Sequence, residues 1–262
     1  MKIVTFNIRL DWGRDGVNNF SFRKDFILRK LRRENPDIVC FQEVLPHVAL
    51  WLKESLPEYD IVGCPRGALL DDEQACVAYR RNRFNLLRME AFWLSPPPNV
   101  PGSRYNDQSN CPRICTELTL QDLSQGTVFR LLNTHLDHEG QAARILAVEQ
   151  ILEKLRTETF FPDIPVLLAG DMNAEPGSEE MQLVTRSSGL RNLTEGIGIT
   201  FHGFGKVPPI TIDYLFATKE FRCTALEKWT DREGPLYLSD HYPICAQLTL
   251  PQETPPLPGG NT

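Results

Sequence analysis

The sequence predicts an α/β fold within a single domain, and three observations lead there. Apolar runs of strand length alternate with turn signals, four segments carry helical spacing instead, and no internal repeat or composition shift marks a boundary. A chain of 262 residues, 41% hydrophobic and 24% charged, buries one sizeable core or two closely packed sheets.

Lys2–Asn7 opens as a strand, directly after Met1 and without an apolar leader or a small-residue cleavage site. A helix follows over Phe22–Arg33, with Phe22, Phe26, Ile27 and Leu31 on its apolar face. Its other face carries Arg23, Lys24, Arg29, Lys30, Arg32 and Arg33 and reads as solvated. Pro36 stops it. Asp37–Gln42 is the next strand, Val48–Ser55 the next helix, and Ala75–Arg80 and Phe84–Trp93 are strands again. The Pro-rich run 95–103 opens a long polar loop reaching Asn110. Strands at Ile114–Leu120 and Phe129–Thr134 precede the clearest helix, Gln141–Thr157, where Ile145, Val148, Leu152 and Leu155 recur at spacings of three and four. Val166–Ala169 is apolar at every position, as a strand covered on both sides would be. Ser178–Arg186 is a fourth helix, followed by Gly189. Thr211–Ala217 and Tyr242–Leu250 complete the strands, the last with Ile244, Ala246, Leu248 and Leu250 on one face. The domain is expected over residues 1–250, and the Pro/Gly-rich tail 251–262 is expected to be disordered.

A formal charge of −6 gives no overall basic surface for nucleic acid. No apolar run is long enough to span a bilayer, so no membrane association and a cytoplasmic location are expected. The seven cysteines form no CxxC pair and read as reduced thiols, with Cys111 and Cys115 too isolated for a zinc site. No obligate protein partner is evident.

Chemistry-bearing residues collect at strand ends in six segments: Thr5-Phe-Asn7, Phe41-Gln-Glu43, Asn133-Thr-His-Leu-Asp-His138, Gly170-Asp-Met-Asn173, Thr211-Ile-Asp213 and Ser239-Asp-His-Tyr-Pro243. Singly each is weak, since Gly-Asp-x-Asn is more often a turn and Ser-Asp-His can simply start a strand. As an ordered set they resemble the endonuclease/exonuclease/phosphatase superfamily of metal-dependent phosphoesterases, from Lys2 to about Leu250. The runs Phe92-Trp-Leu-Ser95, Pro112-Arg-Ile-Cys-Thr116 and Thr200-Phe-His-Gly-Phe204 resemble a bacterial, deadenylase-like branch.

The resemblance implies a four-layer αββα sandwich, two mixed and mostly antiparallel sheets flanked by helices, with the site at one end. It implies Mg²⁺ or Mn²⁺ held by Glu43, with Asn7 and Asp240. Asp171 would orient and help deprotonate water, and Asn173 would donate to the phosphoryl group. His241, fixed by Asp213, would contact a phosphate oxygen, with His135 on the other side. Arg113, His138 and His202 are expected at the substrate, while Arg9 and Arg144 are lesser candidates and His47 is structural. If Glu43, Asp171, Asp213 and Asp240 converge, each pair ~4 Å apart repels by about 4 kcal/mol at an effective dielectric near 20. Such a cluster persists only with a cation or with protonated partners, and oxygen ligands favour Mg²⁺ or Mn²⁺ over zinc.

The expected activity is hydrolysis of a phosphate ester on a small phosphorylated molecule, with a nuclease on DNA or RNA, or a non-catalytic binding protein, as alternatives. Leu136-Asp-His138 differs from the pattern of tyrosyl-DNA phosphodiesterases, and the basic DNA-contacting loops of abasic-site endonucleases have no counterpart. The general base, Asp171 or His241, and the number of metal ions stay open.

Overall fold

The computed structural model describes residues 1–187 and 189–250, so the tail 251–262 lies outside the described residues. The strands are β1 (Lys2–Asn7), β2 (Ile38–Gln42), β3 (Tyr59–Val62), β4 (Val77–Arg80), β5 (Phe84–Trp93), β6 (Ile114–Asp122), β7 (Val128–His135), β8 (Val166–Asp171), β9 (Arg191–Asn192), β10 (Asp213–Ala217), β11 (Arg222–Lys228), β12 (Arg232–Glu233), β13 (Leu236–Tyr237) and β14 (Ile244–Thr249). The helices are α1 (Phe20–Glu34), α2 (Pro46–Ser55), α3 (Gln141–Arg156) and α4 (Glu179–Ser187).

Two six-stranded sheets result, in the orders β11-β14-β1-β2-β4-β3 and β5-β6-β7-β8-β10-β9. Each is antiparallel except for one parallel pair, β1 with β2 and β7 with β8. A parallel pair needs a crossover, and α1 and α3 supply the two. Most apolar residues fall into three layers, and a small fourth cluster holds Ala75, Trp93 and Ile114. Ile3, Ile38 and Val77 of the first sheet meet Leu118, Leu131 and Leu167 of the second. Phe26, Ile27 and Leu52 of α1 and α2 cover the outer face of the first sheet against Phe6 and Phe41. Val148, Ile151 and Val184 of α3 and α4 cover the second sheet against Leu132 and Leu168. Three apolar layers between four structural layers make the αββα sandwich. Val166–Ala169 is buried on both sides because both of these layers meet at β8.

The helices differ from expectation in detail. Asn35 closes α1 in a left-handed conformation, its N–H bonded to the Leu31 carbonyl, before Pro36. Phe22 of α1 is exposed, whereas Arg23 and Lys30 are buried, which corrects the solvated reading of the basic face. Arg23 donates to the carbonyls of Asn18, Ile8, Leu238 and Arg9. Lys30 pairs with Glu34 and Asp231. On α3 the buried stripe is Ala143, Ala147, Val148, Ile151 and Leu152, with Ile145 and Leu155 at its margins. Among the described residues no helix is long and apolar enough to cross a membrane.

Candidate active site

Strand register brings the chemistry to one end of the sandwich. His135 at the end of β7 lies opposite Asp171 on parallel β8, and Asp213 on antiparallel β10 lies opposite Asp171 from the other side. Gly170 permits this, because a Cβ there would overlap the Thr134 carbonyl of β7. In the first sheet Asn7 ends β1 beside Gln42 of β2. A buried polar seam joins the sheets here: Gln42 Nε2 donates to Asn133 Oδ1 at 2.7 Å, and Asn133 Nδ2 donates to the Phe41 and Cys76 carbonyls at 2.9 Å. These directional amide bonds across an apolar interface fix how the sheets face each other, although Gln42 Oε1 has no partner among the described residues.

Asn7 bridges the two halves, its Nδ2 donating to Glu43 Oε1 and Asp171 Oδ2, both at 2.9 Å. Glu43 Oε2 accepts the Leu10 N–H at 2.8 Å. Asp171 Oδ2 is the point of convergence, lying 3.5 Å from His135 Nε2 and 3.7 Å from His241 Nε2. Its Oδ1 accepts the Asn173 N–H at 3.0 Å, while Asn173 Nδ2 donates to the Leu136 carbonyl at 3.0 Å. His241 Nδ1 is 2.8 Å from Asp213 Oδ2, which aims Nε2 at Asp171. Asp240 lies 3.6 Å from Arg9 Nε, and Arg9 also pairs with Asp15. Arg9, Glu43 and Asn173 all have left-handed backbone angles, φ of 60°, 61° and 47°. Such angles cost on the order of 1 kcal/mol or more each in a residue with a side chain and cluster at functional sites.

Asn7, Asp171, Asp213, Asp240 and His241 are each no more than 5% exposed. Burial and the adjacent Asp213 push Asp171 up to about 7. Burial disfavours the charged ring of His241, but Asp213, Asp171 and Asp240 outweigh it and raise the imidazole to about 10. Burial also raises Asp240, against the pull of His241 and with the repulsion of Glu43. Glu43 is held low in spite of its burial by Arg9, His241 and the N–H groups of Leu10 and Asn7. His135 is held neutral by burial and by the Arg113 and Arg66 guanidiniums.

Ligand-type atoms of Asp171, Asp213 and His241 lie within 4.8 Å of one another. The His241 imidazolium already answers that trio, since its Nδ1 is committed to Asp213. The whole cluster is more acidic than that: four carboxylates, Glu43, Asp171, Asp213 and Asp240, face one imidazolium and the Arg9 guanidinium. Arg9 is shared with Asp15, and an acidic, oxygen-rich donor set of this kind suits a divalent cation.

The expected substrate residues are more dispersed. Arg113 is buried, its Nη2 2.7 Å from His138 Nδ1 and its Nε 3.5 Å from Asp137, with Nη1 unpartnered among the described residues. The His138 ring is half-exposed. His202 packs its ring between Tyr242 and Tyr237, with centroids 4.1 and 4.8 Å away, and burial lowers it to about 4. Its backbone N–H holds the Asp240 carbonyl at 2.9 Å. Beside it, the Phe201 ring lies 4.8 Å from that of His241. Arg144 is committed to Glu180 and to the Asp137 carbonyl. His47 pairs with Asp11 at the surface. Sequence reasoning missed Arg66 and Glu73, paired at 2.8 Å and lining one recess with Glu43 and His135. Burial and the charge of Glu43 push Glu73 up to about 7. The only trace in the sequence is an arginine and a run of acids (Asp71, Asp72, Glu73) just before a strand.

The model of the endonuclease/exonuclease/phosphatase family matches residues 4–241. The chain belongs to that family. The site described here therefore belongs to a fold whose members are hydrolases. Among solved structures, an endonuclease/exonuclease/phosphatase from Bacteroides vulgatus is 31% identical, with a TM-score of 0.89 over 95% of this chain and 98% of that one. A mannosyl-6-phosphatase from Bacteroides thetaiotaomicron is 25% identical, with a TM-score of 0.86 over 95% of this chain and 100% of that one. The human Nocturnin catalytic domain, with a bound sulfate anion, shares the fold at 21% identity, with a TM-score of 0.78 over 96% and 94% of the two chains.

Proposed function

We propose that this family member hydrolyses a phosphate ester on a small phosphorylated molecule, using Mg²⁺ or Mn²⁺ held by Glu43, Asn7 and Asp240. One observation carries the reading: the buried Asp171, Asp213 and Asp240, with Glu43 beside them, gather around one imidazolium and the Arg9 guanidinium, an acidic cluster that suits a divalent cation. The net charge of −6 supports a small substrate over nucleic acid. The likeness to the mannosyl-6-phosphatase makes sugar phosphates the first substrates to try. Free cysteines throughout support a reducing, cytoplasmic setting.

Asp171 orients the attacking water and takes its proton, its Oδ1 held by the Asn173 N–H and its Oδ2 by Asn7. His241, with Nδ1 fixed on Asp213, presents an N–H from Nε2 to a phosphoryl oxygen and stays charged. His135 and the second N–H of Asn173 reach the phosphoryl group from the β7 side, and Arg113 stands behind them. When bound, the cation neutralises charge developing on the phosphoryl and leaving-group oxygens.

The test is a panel of sugar phosphates, p-nitrophenyl phosphate, bis-p-nitrophenyl phosphate and single- and double-stranded oligonucleotides, each with Mg²⁺ or Mn²⁺ and with excess chelator. Chelator should abolish turnover, and Asp171→Asn and His241→Ala should each lower kcat about 10²-fold or more in a folded protein. Turnover indifferent to chelator, or near-normal rates in either variant, overturns the assignment. Preference for oligonucleotides with steep salt dependence replaces the small substrate with a nucleic acid.

A further inference from the structure

His202 is expected from the sequence at the substrate, and its ring is instead enclosed. It is 5% exposed, and both ring nitrogens are buried with no hydrogen-bond partner among the described residues. A side chain shut off in this way does not touch a substrate, so the ring acts by its shape. It lies between Tyr237 and Tyr242, with centroids 4.8 and 4.1 Å away. Those two tyrosines flank Asp240 and His241 in the chain, one on each side. Between them, the Asp240 carbonyl accepts the His202 N–H at 2.9 Å and the Gly203 N–H at 3.2 Å. His202 thus grips the segment 237–242 at both ends with its ring and in the middle with its main chain.

The pairing continues on either side of His202. The Tyr242 N–H donates to the Thr200 carbonyl at 2.7 Å, which sets Phe201 opposite His241 in an antiparallel bridge. Side chains alternate across such a bridge. Phe201 and His241 share one face, their rings 4.8 Å apart, and His202 and Tyr242 share the other. Thr200 also reaches the partner of His241. Its Oγ1 accepts the N–H groups of Ile212 and Asp213 at 3.0 and 3.1 Å. Residues 200–202 therefore hold the main chain behind both ends of the 2.8 Å contact between His241 and Asp213. The main-chain bonds fix how far the two segments lie from each other, and the stacked rings oppose sliding or turning of 237–242.

We infer that His202 is a positioning residue: wedged between Tyr237 and Tyr242, it keeps Asp240 and His241 in register with Asp213 and so aims the imidazole and the Asp240 carboxylate. The inference rests on the phosphoesterase reading and adds to it a residue that acts through others.

The experiment compares wild type with His202→Ala, which removes the ring, and His202→Phe, which keeps a flat ring and loses the nitrogens. Kinetics use whichever ester of the panel wild type hydrolyses best, with Mn²⁺, and calorimetry measures Mn²⁺ binding without substrate. In metal-free protein, NMR follows the Cε1–H signal of His241, assigned by its loss in His241→Ala. His202→Ala should lower kcat about ten-fold, as a displaced catalytic group does, with KM within about two-fold. It should also weaken Mn²⁺ about ten-fold, as losing the support behind a ligand does, and broaden or split the His241 signal. His202→Phe should return kcat, Mn²⁺ affinity and signal to near wild type. A folded His202→Ala that only melts lower, with kcat, Mn²⁺ affinity and signal unmoved, overturns the inference. So does His202→Phe behaving as His202→Ala. If wild type neither binds Mn²⁺ nor hydrolyses any ester, the phosphoesterase reading fails, and the His241 signal alone decides the role of His202. Should His202→Ala fail to fold, Tyr237→Leu takes away one side of the stack and should give the same changes in smaller measure. No change there also refutes the role.

Discussion

A guanidinium buried without a carboxylate partner needs other oxygens, and Arg23 takes four of them from the main chain. Burial lowers its pKa to about 10, so it stays charged at neutral pH. Three of its acceptors, on Ile8, Arg9 and Leu238, lie just after Asn7 and just before Asp240, so one side chain of α1 ties together two segments that carry site residues. Arg23→Met would leave those carbonyls without donors, and we expect a loss of about 3 kcal/mol in unfolding free energy, measured by urea titration. A change under about 1 kcal/mol would mean that water substitutes for the guanidinium. The residue was read from sequence as part of a solvated face because charge type carries no information about the carbonyls that surround it.

The element that most clearly bears on specificity is the loop 95–110. It packs on the loop that carries Arg66, since a Cβ on Gly102 would collide with the Ala68 backbone, and Gly102 has a φ of +77°. Further along, Ser109 Oγ donates to Asp137 Oδ2 at 2.5 Å, and Asp137 in turn accepts the N–H groups of Glu139 and Gly140 ahead of α3. Deleting the tip, residues 97–102, should shift relative kcat/KM between substrates several-fold and leave metal affinity within about two-fold, because loops set specificity on a rigid scaffold. Loss of activity on every ester together with loss of metal binding would refute that division. Elements with strong periodicity or continuous apolar runs were legible in the sequence, as β1, β5, α3 and β14 show. The edge strands β3 and β11 were not. β11 is largely exposed, and an edge strand needs neither alternation nor a buried face to hold its place on β14.

For the whole molecule, acid lability follows from carboxylates that the fold holds ionised. Burial disfavours the Glu34 carboxylate, but hydrogen bonds from Lys2 and Lys30 outweigh it and lower the group to about 2. Asp137 is also lowered to about 2, burial being outweighed by the Ser109 hydroxyl and the N–H groups of Gly140 and Glu139. Both values lie below those of the unfolded chain, near 4. The unfolded state therefore binds more protons in between, so the contribution is complete above about pH 5 and is lost as pH falls towards 2. Thermal melts from pH 6 to 2 should show the melting temperature falling mainly below pH 5. Asp137→Asn should flatten that fall, and an unaltered acid limb in the variant would remove Asp137 from the account.

The sequence by itself determined the α/β class, most of the strands, the order of the six polar segments and so the family. Those properties live in local spacing and in residues that any reader of the chain can align. Only the tertiary structure decided that Asp171 Oδ2 meets Asn7, His135 and His241, that Arg144 turns away to Glu180, and that Arg66 stands beside Glu43. Those outcomes depend on the register between strands far apart in sequence and on which partner outcompetes another for a buried charge. Distance along the chain encodes neither.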